Sequence, residues 1–146
     1  MLGDIATSIG ICRRLHDLLL ANFSTLPPGA ELNIRVYDQV PYFAYHKQDS
    51  DVIVGFYFLS SMGYTSAAYE LVDDTTKQVF GGHFNRIYSE AATSILVEFD
   101  GARGRPTFNP KLFSDLHECL SEKLGQEKTD EFVNRKYAVP ALGASA

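Results

Sequence analysis

Three stretches decide the fold class: Leu32-Asn33-Ile34-Arg35-Val36-Tyr37-Asp38, Tyr42-Phe43-Ala44-Tyr45-His46 and Val52-Ile53-Val54-Gly55-Phe56-Tyr57-Phe58-Leu59. The first alternates apolar and polar residues with period two, as a strand with one face in the core does. Val40-Pro41 interrupts it, and the second stretch resumes as an aromatic-rich strand. Gln48-Asp49-Ser50-Asp51 is a turn-forming cluster. The third stretch is apolar almost throughout, which predicts a central strand with both faces covered. A second turn at Ser60-Ser61-Met62-Gly63 leads to a shorter strand, Ala67-Ala68-Tyr69-Glu70-Leu71-Val72. These four strands read as one antiparallel meander, with residues 94–100 as a fifth strand.

Working outward, the period changes to 3.6 on both sides. Residues 4–23 read as an amphipathic helix with Ile5, Ile9, Cys12, Leu15 (or His16) and Leu19 on its apolar stripe, Asp4 as N-cap and Pro27-Pro28-Gly29 as the stop. After Asp73-Asp74, helical spacing returns over residues 76–91, placing Val79, Phe80, His83, Phe84, Ile87, Tyr88 and Ala91 on one face. Gly81 and Gly82 are costly inside a helix and point to close packing, a kink or a ligand's approach. Asn109-Pro110 opens a helix over residues 109–123, and residues 129–137 add a last turn or two. The expectation is an α+β fold: an antiparallel four- to five-stranded sheet packed by three or four helices. Residues 1–139 read as a single α+β domain and residues 140–146 as a flexible tail.

The chain has 146 residues with 45% hydrophobic and 21% charged, ordinary values for a globular domain with its own core. A formal net charge of −5 argues against a broad nucleic-acid face. The longest apolar run, residues 52–59, is far short of the roughly twenty residues of a membrane span. Met1-Leu2-Gly3-Asp4-Ile5-Ala6 carries neither a basic region nor a long apolar one, so no secretory signal is read and a cytoplasmic location is expected. Cys12 and Cys119, 107 residues apart, fit small buried hydrophobes on helical stripes better than a redox or metal pair.

Few residues offer chemistry. His46-Lys47 with Asp49 and Asp51 puts a base, a cation and two acids close in sequence, but neighbouring strand residues point to opposite faces and the acids fall in the turn. His83 lies on an apolar helix face, where a partly buried, satisfied imidazole is the plainer reading. His16 and His117 read as structural. No His-x-x-x-His, Glu-x-x-His or Cys-x-x-Cys spacing is present, so neither metal nor cofactor is expected. Asp49-Ser50-Asp51 lacks the glycine and distal glutamate of a calcium loop. Neither a nucleophile elbow nor a Gly-x-Gly-x-x-Gly phosphate loop occurs. Arg103-Gly104-Arg105 could grip a phosphate with two guanidinium forks, or stand as a solvated turn. Tyr37, Tyr42, Phe43, Tyr45, Phe56, Tyr57 and Phe58 are dense for one small sheet; tyrosines left over from the core suit stacking on a base or an interface.

Residues 34–43 (Ile34-Arg35-Val36-Tyr37-Asp38-Gln39-Val40-Pro41-Tyr42-Phe43), then Asp49-Ser50-Asp51-Val52-Ile53-Val54-Gly55-Phe56-Tyr57, resemble a degenerate phospholipase-D-like half-domain of bacterial regulatory proteins. Residues 79–91, with Phe80 and Phe84 four apart, resemble the helix that ends such modules. The resemblance spans residues 32–91. Active members carry His-x-Lys, an Asp and then Gly-Ser on a hairpin. With Gly55 as the motif glycine, the His and Lys places fall near Tyr42 and Ala44; sliding the frame to His46 puts Gln48 in place of lysine. The resemblance therefore implies binding without catalysis, and pairing of two copies.

The leading expectation is a non-enzymatic ligand-sensing domain of a bacterial cytoplasmic regulator, in stress or phage defence. It would use Tyr42, Tyr45, His46, Tyr57, His83, Arg103 and Arg105 on a phosphorylated or nucleotide ligand and form a homodimer. The alternatives are a phosphodiester- or nucleotide-processing enzyme using His46 or His83, and a dimerisation or adaptor module.

Overall fold

A computed structural model describes residues 2–39, 43–56, 67–91 and 94–135. Along the chain run α1 (Leu2–Asn22), a 3-10 turn (Phe23–Thr25), β1 (Glu31–Arg35), β2 (Phe43–Gln48), β3 (Asp51–Phe56), β4 (Ala68–Glu70), α2 (Asp74–Glu90), β5 (Ile95–Asp100), β6 (Thr107–Phe108), α3 (Pro110–Leu124) and α4 (Gln126–Asn134). The fold is α+β. The strands form two three-stranded sheets, ordered β1-β5-β6 and β2-β3-β4, in place of the expected single sheet of four or five. The chain divides into two compact units, residues 33–96 and residues 2–32 with the chain from 97 onward, so the boundary runs through β1 and β5. The expected strand ends and turn at 57–63, and the tail at 140–146, lie outside the described residues.

The single-sheet reading fails at β1. Its partner is β5: Gly101 N–H donates to Ala30 C=O (2.9 Å) at one end and Val36 N–H to Ser94 C=O (2.8 Å) at the other, an antiparallel pairing. Period-two alternation shows that a strand has an inside and an outside; it does not show which strand lies alongside. Of the expected four-stranded meander the last three strands pair, as β2-β3-β4, with Phe43 opposite Phe56, Tyr45 opposite Val54 and Val54 opposite Tyr69.

In that unit β3 is central but covered on one face only. Val52 and Val54 are buried while Ile53 between them is 43% exposed, so the nearly continuous apolar run does not mean two covered faces. The covered face carries Phe43, Tyr45 and Phe56 together, and α2 packs on it: Phe80 meets Phe43 edge-on with ring centres 4.9 Å apart, and Phe84 stacks on Tyr45 at 5.2 Å. Val79, expected on the apolar face of α2, is 67% exposed, and His83 is exposed too. Gly81 is explained by packing: a Cβ there would sit 3.2 Å from the Tyr45 hydroxyl oxygen. Both covered faces occur instead on β5, where the consecutive Leu96 and Val97 are 1% and 0% exposed.

Helix α2 starts at Asp74 because Asp73 caps it. The Asp73 carboxylate accepts from the Thr76 hydroxyl and from the Thr76 N–H, each at 2.7 Å. These two bonds, the hydroxyl's foremost, hold the Asp73 carboxyl below the usual carboxylate range. A lowered folded value means that folding favours the ionised form. The cap's contribution is therefore complete above the unfolded value and disappears as pH falls through the folded one. Thermal melts of wild type and Asp73→Ala should differ by a few degrees at pH 7 and converge as the pH falls through the lowered folded value of the carboxyl. A gap that persists undiminished in acid would show that the cap is not the carboxylate's doing.

In the other unit, the expected stripe of α1 holds at Ile9, which is buried, and at Cys12, Leu15, His16 and Leu19, which are half-buried, while the N-terminal half also buries small residues. Ala6, Thr7, Ile9 and Gly10 are buried while Ile5 is 39% exposed. Ala6 and Ile9 form a core with Leu120 and Val133, flanked by Leu2, Phe113, Leu116, Leu124 and Phe132. The helix begins at Leu2, so Asp4 lies in its first turn and is not the N-cap. Asn109 does cap α3, accepting from Leu112 N–H at 3.0 Å, with Pro110 at the first helical position. Cys12 is half-buried, and burial pushes its thiol pKa up; Cys119 is exposed, not the buried hydrophobe expected of it.

Candidate functional site

Within the unit of residues 33–96, a cavity of about 470 Å³ opens along β2, β1 and the C-terminal half of α2. Its size suits a small ligand. From β1 and the residues after it come Asn33, Ile34, Arg35, Tyr37 and Gln39; from β2, Phe43, Ala44, Tyr45 and His46; from α2, His83, Phe84, Ile87 and Tyr88. Both β1 and β2 are edge strands of their sheets, which is why the space beside them is not filled by another strand.

One wall is a ladder of rings. Tyr45, Phe84 and Tyr88 follow one another at 5.2 and 5.8 Å with interplanar angles of 24° and 19°. The spacing comes from the helix: Phe84 and Tyr88 are four residues apart and therefore share a face. Tyr45 reaches the same line from the covered face of β2. Arg35 caps the ladder, its guanidinium carbon 3.8 Å from the centre of the Tyr88 ring. The same guanidinium donates from Nη1 to Tyr88 C=O (2.6 Å) and from Nε to Asn33 Oδ1 (3.1 Å). At the rim, the Glu90 carboxylate accepts from Arg86 Nε and from Gln39, each at 3.0 Å, and Arg86 foremost, then Gln39, with the nearby His83, keep that carboxyl below its usual range.

The structure brings Tyr45, His46 and His83 of the expected site residues to this cavity. His83 sets its ring 5.3 Å from Phe43, and His46 is exposed near the end of β2. Neither imidazole has a hydrogen-bond partner among the described residues. Tyr42 and Tyr57 lie outside the described residues. Arg103 and Arg105 do not line the cavity: Arg103 pairs with Asp100 at 3.1 Å and is 82% exposed, and Arg105 lies 5.7 Å from the centre of the Phe23 ring.

Arg35, Phe84 and Tyr88 are the contributors that the sequence reading passed over as site residues. Phe84 and Tyr88 were legible as a helical pair, but helical spacing of aromatics ordinarily means core. Arg35 looked like the outward residue of an alternating strand. Its role follows only from where α2 runs.

Two other arrangements are simpler. His117 Nε2 lies 2.8 Å from Asp130 Oδ1, and Ser121 Oγ lies 3.4 Å from His117 Nδ1, while Gln126 donates to both Asp130 oxygens. The group ties α3 to α4, and neither this cavity nor the neighbouring groove between the β2–β3 turn and α2 reaches it. Among the described residues no group of three His, Cys, Asp or Glu side chains could hold a metal ion, and no helix is long and apolar enough to cross a membrane.

No family profile, curated protein or solved structure matches the chain.

Proposed function

We propose that the chain is a non-enzymatic ligand-binding domain whose cavity along β2 takes a small planar molecule, in keeping with a sensor role in a regulatory protein. The observation that carries this reading is the ring ladder Tyr45–Phe84–Tyr88 along one wall of a 470 Å³ cavity. Phe84 is 41% exposed, so a large apolar ring faces water in the empty cavity. A flat ligand that covers it gains both apolar burial and stacking, on the order of 1–3 kcal/mol per ring contact. The binding reading fits His46 and His83 better than an enzymatic one. A general base needs its ring held in place, and among the described residues no carboxylate hydrogen-bonds either imidazole, Glu90 acting on His83 only through its charge.

The neutral bicyclic probe 2-naphthamide tests this by NMR titration. Shifts should concentrate at Ala44, Tyr45, Phe84 and Tyr88, and Phe84→Ala should weaken binding at least fivefold without loss of fold. No shift at millimolar probe, or shifts scattered away from these residues, would overturn the reading.

A further inference from the structure

We infer that the molecule held in this cavity is an aromatic anion, and that Arg35 grips its acidic group while the ring ladder holds its plane. The inference rests on the ligand-binding reading above and adds the ligand's charge. Its basis is a mismatch in charge. The chain carries 18 Asp and Glu against 13 Lys and Arg, yet among the described residues that line the cavity the charged and titratable ones are Arg35, His46, His83 and the tyrosines, and the Glu90 carboxylate at the rim is taken up by Arg86 and Gln39. The half-buried Arg35 has no carboxylate within ion-pair distance among the described residues. Every contact that positions it is neutral: the Tyr88 ring face, the Tyr88 carbonyl and the Asn33 amide oxygen.

An arginine needs five acceptors to satisfy its N–H groups, and two are supplied by the protein. The Nη2 edge has no acceptor among the described residues. Stacking on Tyr88 fixes the plane of the fork, so little side-chain freedom remains to be lost when an oxyanion arrives. A carboxylate or a phosphate presents the pair of oxygens that this fork matches. Because Arg35 already covers the end ring at Tyr88, a ligand whose ring lies along the Tyr45–Phe84–Tyr88 wall brings its acidic substituent to the guanidinium from the side.

Three probes of one ring system on the full chain decide the matter: 2-naphthamide, 2-naphthoate and 2-naphthyl phosphate, titrated by NMR and calorimetry. At least one anion should bind tenfold or more tightly than the amide, with the advantage shrinking as salt is added. The tighter of the two anions says whether the natural group is a carboxylate or a phosphate. In Arg35→Gln the ratio of anion to amide affinity should fall to within twofold of one; Arg35→Lys should keep part of the advantage, since the charge remains and the fork does not. If no probe binds, the ligand-binding reading fails. If the amide binds as well as both anions, that reading stands and the anion inference is overturned. An anion preference that survives in Arg35→Gln also overturns it. Should Arg35→Gln fail to fold, an advantage in wild type that is indifferent to salt and complete in Arg35→Lys overturns it equally.

Discussion

Gly10→Ala should destabilise the chain by about 3 kcal/mol, lowering the melting temperature by roughly 10 °C. A Cβ at this position would lie 1.9 Å from the Val133 carbonyl oxygen and 2.7 Å from its carbon. The obstacle is backbone, so no side-chain rotation can relieve it. Arg14 Nη1 donates to the same carbonyl at 3.0 Å, which ties α1 to the end of α4 at the point of closest approach. To admit one methyl group α4 must retreat, and the retreat opens the core of Ala6, Ile9, Leu120 and Val133. Alanine's better helix propensity returns only about 1 kcal/mol. Gly82→Ala is the matched control. It lies inside α2 with nothing within 4 Å of the added atom, so there the propensity gain stands alone and stability should rise by up to about 1 kcal/mol. Urea unfolding of the two variants should move in opposite directions; an unchanged midpoint for Gly10→Ala would mean that the two helices do not meet this closely.

Leu96→Ala should cost a similar amount, about 3 kcal/mol within the usual range of roughly 2–5 for a buried leucine. Leu96 is among the largest fully buried side chains of the described residues, and its strand is central in β1-β5-β6. Truncation removes the transfer free energy of three heavy atoms and leaves a void that a strand hydrogen-bonded on both sides cannot close. Ile53→Ala on β3 provides the contrast. That side chain is 43% exposed, and its loss should change stability by under about 1 kcal/mol. Equal effects at the two positions would contradict the burial pattern.

Much of the local structure was legible beforehand. Asp73 and Asn109 stand where helices α2 and α3 begin, since a short polar side chain meets the free N–H groups of a first turn whatever the rest of the fold does. Three of the four strands of the expected meander do lie together as β2-β3-β4, marked by their aromatic and apolar runs, while the alternating strand β1 left it. On α1 the expected stripe failed at Ile5, and the buried Ala6 and Gly10 were passed over, because hydrophobicity marks large side chains. Contact between helix backbones selects small ones, and Ala6 and Gly10 stand out only once α4 is in place. Cys119 was read inward on the same reasoning and is exposed. Of the candidate site, Tyr45, His46 and His83 were named from residue type, whereas Arg35 was not.

Periodicity and capping chemistry, which act over a few residues, determined the α+β class, the helices and the positions of the main strands. Which strand lies beside β1, and hence where an unfilled space remains, is a matter of pairing between segments some sixty residues apart in the chain. Tertiary structure alone decided that β1 joins β5 and that α2 passes Tyr88 under Arg35. The cavity and its unpaired guanidinium follow from those two placements, because a side chain's partners are set by what packs across from it and not by its neighbours in sequence.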